Sequence, residues 1–397
     1  MSRFLFVVPP LSGHVNPTIA LGAQLAARGH DVAWTGLPGA VDALLPDDAA
    51  FWPCAPPEVA AHVQEVAQRA PNLRGAAALK FLWEDVLLPL GEVMVDGVEE
   101  AARSFGADVL VVDQQALAGA VVARRLGLPW ATSATTSAEL TEPLAALPKV
   151  DAEVKARLVD LQVRHGIAPD AAAEGDLRFS PHVILAFSTA ALAGDGPFPG
   201  PVAFVGPSIT GRPERDGLDW ARLEPGRPAV LVSLGTVNAD AGERFFAVAA
   251  EACRDQRWQA VFVAPPELVP DPPANVIVQA RVPQLALLQE LAARGGAVVS
   301  HAGHNTVCES LAAGLPLVLA PIRDDQPIVA DQVVRAGAGV RVKFARVRAD
   351  DLRAAIDAAL TDADLRAAAA RVQASFAAAG GPAAAATHLE ALLSAPS

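Results

Sequence analysis

Five apolar residues in a row, Phe4-Leu5-Phe6-Val7-Val8, stopped by Pro9-Pro10, constrain this chain more than any other feature. A run without polar alternation cannot turn either side to water, so it reads as a parallel strand covered on both faces. The loop Pro9–Val15 follows; Asn16 then reads as a helix N-cap with Pro17 in the first helical position. Ile19, Leu21, Leu25 and Ala26 give that helix an apolar side, and Gly29 sits where a C-terminal cap belongs. A second strand spans Asp31–Thr35. Strand, helix and strand in this order make a βαβ unit, which dictates a right-handed crossover in a parallel sheet. The pattern recurs at Val109–Val112, a strand ending in Asp113, followed by an Ala-rich helix to Leu126 and Gly127.

A chain of 397 residues is too long for one ordinary core and suits two domains of roughly 200 residues each. Residues 51–105 read as mostly helical and carry Phe51, Trp52, Phe81, Trp83, Leu87 and Leu88, and 138–180 hold further helical stretches. Around 194–228 the character changes to Gly, Pro and charged residues, including Gly206-Pro207 and the polar segment Gly211–Arg227, as at a domain boundary. A second series opens at Ala229–Ser233 with the turn Leu234-Gly235-Thr236, and strands at about 260–264, 275–278, 297–300, 317–320 and 339–342 alternate with helices. The predicted divisions are an N-terminal domain over 1–206, a linker over 207–228, a second domain over 229–375 and a C-terminal helix, 376–397, packing back on the first. Two doubly wound α/β domains predict a cleft, with ligands outside the carboxyl ends of both sets of strands.

Bulk properties remove several classes of function. A net charge of -13 argues against a partner held mainly by phosphate contacts, such as nucleic acid. Hydrophobic residues at 52% and charged residues at 19% exclude a disordered chain. Cys54, Cys253 and Cys308 lie far apart with no CxxC pair, so neither a disulfide framework nor a structural zinc site is expected. The first apolar run is too short for a signal peptide, and no stretch approaches the ~20 apolar residues of a membrane span. A cytoplasmic protein is expected. Oligomeric state is not legible.

The densest chemistry lies between Arg281 and Gln326. Ala297-Val298-Val299-Ser300 reads as a buried strand, His301-Ala302-Gly303-His304 as a turn, and Asn305-Thr306 as the opening of a helix that reaches Ala313 with Gly314 at its cap. The free N–H groups and dipole of a helix start attract an anion. Gly303 would let a diphosphate approach the backbone. His301 can donate to a phosphate oxygen, with Asn305 and Thr306 adding further donors. Glu309 can accept from a ribose diol, as acidic residues do in dinucleotide folds. His304 reads as an exposed loop residue. Alone, His301 would pass for a structural histidine, Glu309 for a solvated helix face and Asp325 for a helix N-cap; the register as a whole carries the functional reading.

That register, Val282-Pro283-Gln284, His301-x-Gly303-x-Asn305-Thr306-x-x-Glu309, Gly314-x-Pro316, Pro321 and Asp325-Gln326, resembles the donor signature of the UDP-sugar glycosyltransferases. These include plant secondary-metabolite enzymes and bacterial macrolide and antibiotic relatives. The resemblance implies a GT-B fold: two Rossmann-like domains facing each other across a cleft. It further implies that His301, Asn305 and Thr306 contact the donor diphosphate, Glu309 the ribose, and Gln284 with Val282 the base. Asp325 and Gln326, ahead of a helix beginning at Pro327, would bind the sugar hydroxyls, and Thr236 would face the phosphate or the transferring sugar. Arg281 stands where the plant enzymes carry a tryptophan, Val329 where an asparagine is common, and Ala320 where an aromatic is common. These departures leave UDP- and dTDP-sugars equally open as co-substrate.

His14, in Ser12-Gly13-His14-Val15-Asn16-Pro17, follows the first strand and would stand in its loop at the cleft mouth. Glycosyl transfer to a hydroxyl needs a base, and a histidine with ordinary pKa near ~6.5 suits the task. Asp113, at the end of its strand, is placed to orient the imidazole. The Gly-His-x-Asn-Pro element is similar to the N-terminal motif of the same family, in which that histidine is the base and an aspartate about 100 residues on is its partner. An inverting, metal-independent displacement follows. The only Asp-x-Asp, Asp362-Ala363-Asp364, falls in the Ala-rich tail and reads as a helix start. The apolar residues of 51–90 and the small-residue stretch Thr132–Ser137 should line a pocket for a small apolar, aromatic or polyketide-like acceptor, although Phe81, Trp83 and Leu87 also read as ordinary core. The competing readings are a catalytically inactive nucleotide-binding helper, a sugar-nucleotide epimerase and a lipid-intermediate transferase. A nicotinamide oxidoreductase fits poorly because the first strand–turn–helix lacks GxGxxG.

Overall fold

A computed structural model describes residues 1–67, 80–141, 144, 147–209, 217–235 and 242–394. They form two compact units, one from residues 1–188, 196–212 and 379–397, the other from 189–195 and 213–378.

Within the first unit the strands are β1 Arg3–Val7, β2 Asp31–Gly36, β3 Ala50–Pro53, β4 Val109–Asp113, β5 Trp130–Ala134, β6 Ile184–Ala186 and β7 Val202–Phe204. All described pairings are parallel, in the order β3-β2-β1-β4-β5-β6-β7. Successive side chains of a strand point to opposite faces, and the core divides accordingly. Phe4, Phe6, Val109, Val111 and Ala131 meet Leu21 and Leu25 of the helix Ser12–Ala27 on one face. On the other, Leu5, Val7, Leu110 and Val112 meet Met94 and Val98 of the helix Leu88–Phe105 and Val121 of the helix Leu117–Leu126.

The short strands β3, β6 and β7 depart from the sequence reading: β3 enters the segment 51–105, read as mostly helical, and no strand was expected at β6 or β7. Runs of three or four residues carry too little periodicity to be told from loop. The first helix also departs from it. It begins at Ser12, with Leu11 extended as N-cap, so Pro17 lies inside it and His14 in its first turn rather than in a loop. A proline five residues into a helix removes one N–H and crowds the carbonyl of residue 13. Here that residue is glycine, and Thr18 Oγ1 returns a hydrogen bond of 2.7 Å to the Val15 carbonyl.

The last helix, Gly381–Leu392, belongs to the first unit. Ala385, Ala386 and Leu389 are fully buried against Phe4, Phe6 and Leu25. Arg28 ties the helix down, donating to Glu390 at 2.7 Å, Thr387 at 3.0 Å and the Ala383 carbonyl at 2.7 Å.

The second unit carries β8 Ala229–Ser233, β9 Gln259–Val263, β10 Val276–Gln279, β11 Ala297–Ser300, β12 Leu317–Leu319 and β13 Gly339–Arg341. They too are parallel, in the order β10-β9-β8-β11-β12-β13. In both sheets the order reverses once, between β1 and β4 and between β8 and β11, which is the Rossmann arrangement with its ligand crevice at the reversal. Residues 189–195 join this unit because the short helix Ala190–Ala193 packs on the helices Gln326–Arg335 and Ala363–Ala378, and Thr189 Oγ1 lies 2.8 Å from Ser375 Oγ. Asp362 Oδ1 accepts from the Asp364 and Leu365 N–H groups at 2.8 and 3.2 Å, so the Asp-x-Asp sequence is a helix start. The three cysteines are free and buried. No helix among the described residues is long and apolar enough to cross a membrane.

Because Leu389 is a core residue of the first unit, Leu389→Ala should destabilise that unit by about 2–5 kcal/mol. Hydrogen exchange at the β1 amides should accelerate to match, whereas wild-type protection in the variant would show that the helix is an ornament on a complete core.

Candidate active site

Two groups of side chains stand at the two strand-order reversals. In the first unit, β4 ends at Asp113 and the helix after β1 presents His14 from its first turn. His14 Nδ1 lies 2.9 Å from Asp113 Oδ1 and 3.0 Å from Oδ2. The carboxylate is fully buried and the imidazole is 15% exposed, so the pair is sheltered but reachable on the histidine side. Thr135, just past β5, adds a hydroxyl 2.9 Å from Asp113 Oδ2 and 2.8 Å from His14 Nδ1. The Gln115 N–H donates to Asp113 Oδ1 at 2.8 Å. A buried carboxylate is tolerable only when its lone pairs are satisfied. Here an imidazole, a hydroxyl and a backbone amide converge on it. An ionised carboxylate only accepts, so its place beside Nδ1 favours the tautomer with the proton on Nδ1 and the basic lone pair on Nε2.

In the second unit, β11 ends at Ser300 and the helix His304–Ala312 begins four residues later. Between them Ala302 is held at φ 70°, a left-handed conformation that a non-glycine residue rarely adopts, with its N–H on Ser300 Oγ at 3.1 Å. His301 is packed between two glycines. A Cβ at Gly235 would come within 2.6 Å of its ring, and one at Gly303 within 2.5 Å. Gly303 itself has an ordinary φ of -62°, so what its missing side chain provides is room for the His301 ring. This differs from the sequence reading, which gave that room to the diphosphate. Burial, against the partial offset of Asp325 and the Ser233 carbonyl and with a small contribution from the Arg323 charge, holds the His301 pKa down at about 4. At neutral pH the ring is therefore uncharged, a hydrogen-bonding group rather than a cation.

Asn305 and Thr306 lie half-buried in the first turn of the helix His304–Ala312. His304 is buried and touches the Cys308 thiol at 3.4 Å, which corrects its reading as an exposed loop residue; the i, i+4 spacing on a helix beginning at His304 brings the two together. Glu309 is buried and accepts a hydrogen bond from Gln284 Nε2, so two residues 25 positions apart in sequence form one contact. Val282 lies half-buried just before them. Asp325 occupies the N-cap position of the helix Gln326–Arg335, yet its side chain makes no capping bond and its charge acts on His301 instead. Gln326 is buried, with Oε1 accepting from the Ile322 and Arg323 N–H groups at 2.9 and 3.1 Å, which fixes the loop that carries Asp325. Asp324 in that loop sits at φ 56°. Thr236 lies outside the described residues.

The proposed acceptor-lining residues divide. Trp83 and Leu87 are core, and the Arg178 guanidinium stands 5.6 Å over the Trp83 ring. Phe51, Trp52 and Phe81 remain partly exposed. Two site residues escaped the sequence reading. Thr135 lay within a stretch singled out for its small residues, but only the three-dimensional contact shows which hydroxyl meets Asp113. Arg323 carried no motif signal.

Residues 221–373 match the model of the UDP-glucoronosyl and UDP-glucosyl transferase family. The chain is 31% identical to 4'-demethylrebeccamycin synthase of Lentzea aerocolonigenes, over 95% of this chain and 96% of that one. It is 28% identical to the NDP-glycosyltransferase YjiC of Bacillus subtilis (strain 168), over 97% of this chain and 95% of that one. Its fold matches that of the calicheamicin glycosyltransferase CalG4 with a TM-score of 0.77 at 25% identity, each chain covered in full at 100%. With both sheets in the Rossmann order, a histidine–carboxylate pair at one reversal and the helix-start motif at the other, the chain belongs to the UDP-glycosyltransferase family and is a GT-B glycosyltransferase of the antibiotic and natural-product type.

Proposed function

We propose that the protein transfers a hexose from a UDP- or dTDP-sugar to a hydroxyl of a small apolar natural product, with inversion and without an essential metal. The observation that carries this reading is the contact of His14 Nδ1 with the buried Asp113 carboxylate, 2.9 Å to the nearer oxygen. It leaves Nε2 as the base. In one step Nε2 takes the acceptor proton, the acceptor oxygen bonds to the anomeric carbon, and the bond from that carbon to the diphosphate breaks. The electron pair leaves with the nucleoside diphosphate, and Asp113 stabilises the imidazolium that forms. Attack opposite the leaving group inverts the anomeric centre.

Charge on the departing diphosphate is met by the N–H groups at the start of the helix His304–Ala312 and by a hydrogen bond from the neutral His301. Arg323, whose charge already reaches the His301 ring, is the nearby cation. The Gln284–Glu309 contact supports the assignment of base and ribose to adjoining positions. The donor class is favoured by likeness to a relative named as an NDP-glycosyltransferase, and the acceptor class by relatives named for rebeccamycin and calicheamicin.

UDP or dTDP should raise the melting temperature of the wild type by mass action, GDP and NAD should not, and His301→Ala should lose the shift. A response to NAD alone would sink the reading. His14→Ala should keep the nucleotide shift and lose about 10²–10⁴ in kcat, and an α-linked donor should yield a β-linked product by proton NMR. Full turnover in His14→Ala, or loss of turnover in EDTA, would refute the mechanism; binding with no turnover by the wild type would point to the helper reading.

The pH dependence of His301 has a definite sign. Its folded pKa, about 4, lies below the unfolded value, so between about 6.5 and 4 the unfolded chain binds more protons. Stability is therefore lost as pH falls through that window, by at most about 1.4 kcal/mol per pH unit. Urea midpoints of the second unit at pH 7 and pH 5 should fall further for the wild type than for His301→Asn; an equal fall would show that the ring is not buried neutral.

A further inference from the structure

We propose that Thr135 is a positioning residue for the reaction: its hydroxyl holds the His14–Asp113 pair in the one proton arrangement that leaves Nε2 basic. This rests on the reading of His14 as the base. A neutral imidazole has two tautomers, and only the one protonated at Nδ1 can accept a proton at Nε2. Three oxygens crowd Nδ1, those of Asp113 at 2.9 and 3.0 Å and that of Thr135 at 2.8 Å. The threonine hydroxyl carries a single proton. Were that proton aimed at Nδ1, the ring nitrogen would be an acceptor, the proton of the ring would move to Nε2, and the base would be lost.

The carboxylate decides between the two. Its Oδ2 lies 2.9 Å from Thr135 Oγ1 and, being charged, is a stronger acceptor than a ring nitrogen. The Thr135 proton therefore goes to Asp113, and the hydroxyl turns a lone pair towards Nδ1–H. One side chain thus donates to the carboxylate and accepts from the imidazole, penalising the unproductive tautomer at both contacts. His14 and Asp113 are the titratable groups that touch this hydroxyl.

The backbone explains why the arrangement is rigid. β4 and β5 pair in parallel up to Asp113 opposite Ser133, and Thr135 is the first residue past β5, held by that pairing at the end of β4. Thr135 is 3% exposed, leaving the hydroxyl little chance of exchanging its partners for water.

Thr135→Val removes the hydroxyl at nearly constant shape, and Thr135→Ser keeps it. Val should lower kcat by about 10- to 100-fold with the donor KM and the nucleotide thermal shift within about twofold of wild type, and Ser should recover most of the loss. Nitrogen-15 NMR of labelled histidine should show His14 protonated at Nδ1 in wild type and Ser, and a mixture of tautomers in Val; should Val pack poorly, Thr135→Ala serves for the same measurements. Wild-type turnover in Val, or a Ser variant as slow as Val, overturns the role of Thr135 while leaving His14 as base. Full activity in His14→Ala would instead overturn the reading on which it rests.

Discussion

A parallel strand buried on both faces can offer chemistry only at its ends, and this constraint shapes both units. Every residue of β1 beyond Arg3, and all of β4, β8 and β11, is buried. Polar side chains with work to do must therefore come from the last residue of a strand, as Asp113 does, or from the segment that follows it. A gap opens there only where neighbouring crossovers run to opposite sides, at β1/β4 and at β8/β11. His14, Asp113 and Thr135 occupy the first location; His301, Gly303 and the start of the helix His304–Ala312 border the second. The sheets do not take part in chemistry, but they allow little freedom over where it can happen.

The two histidines show how environment separates the roles of one residue type. His14 keeps partial exposure, with a buried carboxylate beside Nδ1. His301 is enclosed by glycines on either side, and burial outweighs the attraction of Asp325. One ring keeps a face open beside a carboxylate, the other is closed in and uncharged at neutral pH. Sequence alone gives them equal standing, each in a glycine-containing segment between an apolar run and a helix.

Much of this was legible before any coordinates. Long unbroken strands announced themselves, and so did the interval from His301 to Gln326, because a fixed spacing around a helix start leaves few alternatives. What could not be read depended on tertiary context. The start of the first helix was misplaced because Pro17 gives the same local signal at a helix start as in an interior that tolerates it. Strands as short as β6 have no periodicity to detect. The glycine at 303 was explained by ligand access, when its neighbour in space is an imidazole two residues away. Thr135 needed the pairing that brings the end of β5 beside Asp113, and the bonds of Gln326 Oε1 to its own loop left no mark in the sequence.

The helix Gly381–Leu392, seated on the first sheet after the chain has passed through the second unit, gives the molecule an order of assembly. A ribosome releases the N-terminal segment long before the helix that completes its apolar face, so Phe4, Phe6 and Leu25 stay partly uncovered until that helix has emerged. Recombination between relatives inherits the same dependence. A chimera joined only at the 207–228 segment takes the closing helix from one parent and its seat from the other, and the residues that must match across that junction are Leu389 and Glu390 against Leu25, Arg28 and His30.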